Sequence, residues 1–93
     1  MPSIVVNDPG GSVVAHGFHY GLLAAKGYMF KVIYCASACV MAITSIPSKQ
    51  VCFFPRAWIG VHRDANVNGS EPSWRMKWWR GSEWIAQGWQ ECK

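Results

Sequence analysis

Val32-Ile33-Tyr34-Cys35-Ala36-Ser37-Ala38-Cys39-Val40 changes character in its middle. β-Branched and aromatic residues, which suit a strand, give way at Cys35 to small residues, and an apolar stretch compatible with a helix follows at once. The run predicts a strand over Phe30–Tyr34, a tight turn, and a helix from Ala36 to about Ile46 that Pro47 and Ser48 end. Ser37 supplies the hydroxyl of that turn, where the unpaired N–H groups of a helix start face outward.

The segments on either side have the same alternating grammar. Upstream, Ser3–Asn7 reads as a short strand that Asp8-Pro9-Gly10-Gly11 breaks, since glycine takes positive φ without a Cβ clash. Ser12 is placed to cap a helix in which Val13, Val14, Phe18, Leu22 and Leu23 recur at helical spacing, with Gly27 as its stop. His16 and His19 lie on this helix three apart and read as surface or partly buried side chains, not metal ligands. Downstream, Val51–Phe54 and Ala57–His62 read as two strands separated by Pro55-Arg56. Residues 64–72 are polar and turn-rich, and Ser73–Trp89 reads as an amphipathic helix that Gly81 and Gly88 weaken.

The resulting order, β-α-β-α-β-β-α, is that of an α/β layer with a mostly parallel sheet and right-handed crossover helices. Its 93 residues form a single domain over 1–93: a core over 1–63, then a polar turn and a tryptophan-rich helical tail over 64–93. Ligand sites in such sheets form beyond the carboxyl ends of the parallel strands. The first two strands end at Asn7 and Cys35, and His62 also closes a strand.

Composition narrows the function classes. A hydrophobic fraction of 51% with 15% charged residues belongs to a packed globule rather than a disordered chain. Net charge is +4, and the basic, aromatic stretch Arg63–Arg80 comes with no recognised nucleic-acid module, so no nucleic-acid partner is expected. No apolar run reaches the ~20 residues that span a bilayer. Met1–Asn7 lacks the basic start and long apolar stretch of a signal peptide, so the chain as given is expected to be cytoplasmic, or periplasmic if a leader precedes it. The four cysteines form no Cys-x-x-Cys pair, so neither a metal nor another cofactor is expected. Cys39 and Cys52 are expected to be buried free thiols, and a Cys35–Cys39 bridge would matter only in an oxidising compartment.

Ser37, His62 and the glycine loop are together the minimum parts of an acyl-transfer site: a nucleophile, a base and backbone N–H donors. Their order and spacing resemble the Clp protease proteolytic subunit within the Clp-protease/crotonase superfamily, nearest its small periplasmic-type serine-protease-like relatives. The resemblance rests on Asn7-Asp8-Pro9-Gly10-Gly11, on Cys35-Ala36-Ser37-Ala38-Cys39, and on Pro55-Arg56-Ala57-Trp58-Ile59-Gly60-Val61-His62. It covers about Ile4–Arg63. It implies a partial ClpP/crotonase-like fold and a serine peptidase acting through an acyl-enzyme, with Ser37 as nucleophile and His62 as general base. The N–H groups of Gly11 and Ala38 would form the oxyanion hole, and Gly10 would shape the loop.

That family completes its triad with an acid well downstream of the histidine. Here Glu71, Glu83 and Glu91 lie in the tail, and Asp64, two positions beyond His62, is the candidate orienting acid. The family also carries a further strand and helix before the Pro-Gly-Gly strand and more helix and strand at its end, so this chain resembles a truncated form. Missing layers would expose apolar surface, which implies a homo-oligomer or association with a larger homologue, and the tryptophan-rich tail is the candidate to cover it. A peptide or protein substrate and an ATP-dependent unfoldase are the partners that the resemblance implies. The alternative reading is a catalytically impaired assembly or interaction module on the same fold. A crotonase-like acyl-CoA enzyme is disfavoured, because the Ser37/His62 pairing belongs to the peptidase branch.

Overall fold

The computed structural model describes residues 2–62 and 76–93. The chain is α/β, with a mostly parallel sheet. Strand β1 (Ser3–Asp8) leads through the glycine loop into helix α1 (Val13–Ala25), strand β2 (Met29–Ala36) and helix α2 (Ala38–Thr44). A 3₁₀ turn (Ser48–Gln50) enters the long strand β3 (Val51–His62); strand β4 (Met76–Arg80), helix α3 (Gly81–Ala86) and the two-residue strand β5 (Gln90–Glu91) complete it. Sheet order is β1-β2-β3-β4, with β5 beside the start of β3. The β1/β2, β2/β3 and β3/β5 pairs are parallel, and β3/β4 is antiparallel.

Helix boundaries follow from local chemistry. Ser12 Oγ accepts the Ala15 N–H at 3.2 Å, as its capping position predicts. At the other end of α1, Gly27 takes φ +86°; its N–H bonds to the Ala24 carbonyl and that of Tyr28 to Leu23, a Schellman stop. Gly88 ends α3 in the same way, with Trp89 folding back onto Trp84.

Three sequence expectations are corrected. Val51–Phe54 and Ala57–His62 are one strand, not two: the β2 partner of Phe53 is Val32 and that of Trp58 is Tyr34, so Phe54–Ala57 bulges around Pro55, which has no N–H to pair. Of the tail helix expected over Ser73–Trp89, residues 73–75 lie outside the described residues. Met76–Arg80 is instead a strand, because its backbone completes the β3 edge, and the helix runs only over Gly81–Ala86. All four cysteines are bridged, Cys35 to Cys39 and Cys52 to Cys92, so Cys39 and Cys52 are not free thiols. Pairing of β5 with β3 and a bond from the Cys92 N–H to the Phe53 carbonyl bring Cys92 to Cys52.

Among the described residues, one face of the sheet is covered and the other is not. Val6, Phe30, Val32, Phe53, Ala57 and Ile59 meet Tyr20 from α1, Val40 and Ile43 from α2, and Trp84 and Trp89 around α3. The bulge at Ile33 lets both Val32 and Cys35 point into this core. The opposite face leaves Val5, Ile33, Trp58 and Trp78 exposed. On α1, the apolar residues that mark the helix largely face outward too: Val14, Phe18 and Leu22 form an exposed i, i+4, i+8 stripe, while Tyr20 and Leu23 make the core contact. The tryptophan-rich segment therefore divides, with Trp84 and Trp89 on the covered face and Trp78 on the open one. Among the described residues, no helix is long and apolar enough to cross a membrane.

Candidate active site

Ser37 has φ +59° and ψ −120°, and among the described residues no other non-glycine has positive φ. An L-residue held there costs roughly 1–3 kcal/mol, and such strain persists only where neighbours over-determine it. The neighbours are explicit. Ser37 donates its N–H to the Gly60 carbonyl at 2.8 Å, and its carbonyl accepts the Val40 N–H at 3.0 Å. The Cys35–Cys39 bridge spans the turn. Gly10, at φ +101°, lies against it so closely that a Cβ there would stand 2.6 Å from the Ala36 oxygen and 2.8 Å from Ser37 Cβ.

The turn presents Ser37 Oγ to His62. Oγ lies 2.7 Å from His62 Nε2, across 25 residues of sequence, because β2 and β3 run parallel and in register at Ala36↔Gly60. A bond donated by the Ser37 hydroxyl to Nε2 requires the ring proton on Nδ1, which is the tautomer a general base needs. His62 is exposed and Ser37 half-buried, so the pair is accessible from solvent.

The glycine loop is the third element. Gly10 and Gly11 both take positive φ, at +101° and +151°. The Gly10 N–H is used internally, donating to Asp8 Oδ1 at 2.9 Å. Ala38 follows the strained serine as the first residue of α2, where a backbone N–H lacks an intrahelical partner.

Of the acids considered from sequence, Asp64 and Glu71 lie outside the described residues. Glu83 is elsewhere: its carboxylate accepts the Arg80 N–H at 2.7 Å and caps α3. Glu91 sits in β5 beside Phe53, at the far end of β3 from His62. Among the described residues, no carboxylate bonds to His62.

The structure adds a cluster that sequence reading left as separate parts. Asp8 Oδ2 accepts the Tyr20 hydroxyl at 2.7 Å, and His16 Nε2 lies 3.0 Å from both carboxylate oxygens. Burial pushes the Asp8 carboxyl up, but the bonds from Tyr20, Gly10 and His16, with the imidazole charge, outweigh it and hold it below its ordinary value. The bond to Asp8, then that to the Ser12 carbonyl, raise His16 against its desolvation. Burial and the Asp8 bond raise Tyr20, which stays a neutral donor. His16 and Tyr20 lie four apart on α1, a spacing that already puts them on one helix face.

Two hollows lie on opposite sides of the sheet. On the open face, Tyr34, Trp58 and Trp78 line a groove of about 450 Å³, with Tyr34 stacked on Trp78 and the Arg80 guanidinium 3.9 Å above Trp58. Alternation along β3 puts Trp58, Gly60 and His62 on this same face. A Cβ at Gly60 would meet the Trp78 ring at 2.7 Å, so the glycine lets Trp78 lie across the strand next to His62. On the covered side, a cavity of about 630 Å³ lies between α2 and α3 and is lined mainly by Val40, Val61, Trp79, Trp84 and Trp89.

No protein-family model, curated protein or solved structure matches the chain.

Proposed function

We propose that the chain is a ClpP-like serine peptidase that cleaves a peptide bond through an acyl-enzyme. The observation that carries this reading is the 2.7 Å approach of Ser37 Oγ to His62 Nε2 at a strained strand-to-helix turn. Strain at a serine already in hydrogen-bond contact with an imidazole supports reading Ser37 as a positioned nucleophile. The partial ClpP/crotonase-like fold belongs to the same proposal.

In the first half-reaction, Oγ attacks the carbonyl carbon while its proton passes to His62 Nε2. The carbonyl oxygen gains negative charge facing the N–H groups of Gly11 and Ala38. The imidazolium then protonates the leaving amine as the C–N bond breaks, leaving an ester on Ser37. Water attacks that ester, gives a proton to His62, and releases the new carboxyl terminus as Ser37 regains its proton. The Tyr34/Trp58/Trp78 groove shares a sheet face with His62 and suits an apolar substrate side chain. Asp64 is the proposed orienting acid.

The test is intact-mass spectrometry after mixing with an activated p-nitrophenyl ester of an aromatic N-acyl amino acid. A mass gain of one acyl group, located to Ser37 and absent in Ser37→Ala, is expected. An unmodified, folded chain would overturn the proposal.

A second reading, an assembly module on the same fold, draws on the exposed stripe Val14, Phe18 and Leu22 and on the open sheet face. Those surfaces support self-association or docking to a larger homologue under either reading, and an ATP-dependent unfoldase is the proposed partner under the first. Analytical ultracentrifugation decides: a monomer at high concentration removes the assembly reading. The two disulfides weigh toward the oxidising, periplasmic alternative rather than the cytoplasm.

A further inference from the structure

The loop Asp8–Ser12 is tied at both ends to one imidazole. His16 Nε2 faces the Asp8 carboxylate at 3.0 Å, and Nδ1 faces the Ser12 carbonyl at 2.8 Å. Both partners are acceptors only, so both bonds exist together only when the ring carries two protons. The ring also lies directly against the loop: a Cβ on Gly11 would stand 3.1 Å from His16 Cε1.

We propose that His16 is a positioning residue: its imidazolium staples Asp8 to Ser12 and so holds Gly10 against the Ser37 turn and Gly11 at the height the oxyanion needs. Asp8 is the anchor of the staple, gathering the Gly10 N–H, the Tyr20 hydroxyl and the imidazolium on one carboxylate. Tyr20 ties the anchor to the nucleophile side, because its oxygen is 4.0 Å from Cys39 Sγ, which is bridged to Cys35 across the turn. His16 touches no substrate in this account; it acts through the backbone it holds. The inference rests on the serine-peptidase reading for its consequence but not for its geometry.

The groups around the staple define its pH response. From β1 comes Asp8; from α1, Tyr20, with the His19 ring against the Tyr20 ring at 5.5 Å; from β2, Phe30; from α2, Cys39, which is disulfide-bonded and does not titrate. Among the described residues the one negative group here is Asp8, and it favours the protonated ring. Raising the pH removes one ring proton and with it one of the two ties. Acylation of Ser37 should therefore fall along an alkaline limb as pH rises through the His16 midpoint and the staple opens.

The experiment pairs two readouts on the whole chain. Nitrogen-15 NMR follows the His16 ring and the Gly10 and Gly11 amides from pH 5 to 9, and fluorophosphonate labelling rates are taken over the same range. The expected result is a His16 midpoint above the ordinary imidazole value, with both glycine amides moving at that midpoint. Asp8→Asn should lower that midpoint. His16→Gln should remove the alkaline limb and slow labelling by about tenfold at neutral pH, the scale of a small misplacement of reacting groups. Glycine amides that ignore the His16 titration, or an alkaline limb that survives His16→Gln, would overturn the staple. If His16→Gln does not fold, the wild-type titration and Asp8→Asn decide alone. Shared titration in a chain that never labels would instead overturn the serine-nucleophile reading and leave the staple standing.

Discussion

Replacing Ser37 by glycine and by alanine separates strain from chemistry. Both variants lose the hydroxyl and its 2.7 Å contact with His62, so that loss cancels between them. They differ in backbone cost. Alanine keeps the penalty of φ +59°, ψ −120°, which is roughly 1–3 kcal/mol for an L-residue, whereas glycine removes it. Glycine in turn gives up about 0.4–1 kcal/mol through the greater freedom of its unfolded chain. The balance makes Ser37→Gly more stable than Ser37→Ala by about 1 kcal/mol. For a domain of this size that difference is about 4–8 °C in Tm. Thermal unfolding by circular dichroism, with both disulfides intact, reads it directly. Equal melting temperatures, or a more stable Ser37→Ala, would refute the claim that the turn holds strain at its serine.

Other outcomes follow from single contacts. Changing Cys52 and Cys92 together to serine opens a bridge across 40 residues, and chain entropy puts the loss at about 4 kcal/mol, measurable by urea unfolding. Gly10→Ala places a Cβ between the Ala36 oxygen and Ser37 Cβ at positive φ; labelling of Ser37 should fall at least as far as in His16→Gln while far-ultraviolet circular dichroism stays native. Trp78→Ala should raise KM for esters with an aromatic side chain and leave kcat nearly unchanged, since the ring lines the groove without touching the reacting atoms. The two members of the staple have opposite signs in acid and base. Asp8, held below its unfolded value near 4, stabilises above that value and loses the contribution as pH falls through its folded value. His16, held above its unfolded value near 6.5, stabilises fully below that value and loses the contribution as pH rises through its folded value. Denaturant midpoints of wild type and Asp8→Asn should differ at pH 7 and converge in strong acid.

How far the chain can be read without its structure varies along it. The parts that carry the site were legible, because local chemistry determines them: the Ser12 cap, the Gly27 stop, the small-residue turn at Ser37, and a strand ending at His62. The tail was not. Trp74 and Trp78 are four apart and mimic a helical face, yet Met76–Arg80 is a strand because the β3 edge from Trp58 to His62 offers it a ladder, a partner that no window of the tail contains. Gly81 looked like a helix breaker but starts α3, where its missing Cβ avoids the Phe54 carbonyl. The Cys52–Cys92 bridge could not be chosen from spacing, since four cysteines allow three connectivities and β5 decides among them. The Asp8–His16–Tyr20 cluster was half visible: the i, i+4 pair was there to see, but the fold of the glycine loop is what swings Asp8 onto it. Likewise the apolar periodicity of α1 marks a helix correctly while Val14, Phe18 and Leu22 face out, because periodicity reports a stripe and not what covers it.

The open sheet face and the α1 stripe bear on how the site is used. Trp58 and Trp78 stay exposed beside His62 while Trp84 and Trp89 are taken up by packing on Phe53. A subunit contact through Val14, Phe18 and Leu22 would leave the Tyr34/Trp58/Trp78 groove free, since the stripe lies on the helix side of the sheet. Under the proposed reading the two surfaces are therefore compatible, one with assembly and one with substrate.

The most direct test of the central claim is fluorophosphonate labelling of the purified chain beside Ser37→Ala and His62→Ala. The account predicts one phosphonyl group on Ser37 of the wild type, none on Ser37→Ala, and labelling of His62→Ala slowed by about 10²–10⁴-fold, the range a general base supplies. A folded wild type that does not label, or one whose labelling survives either substitution unchanged, would contradict it.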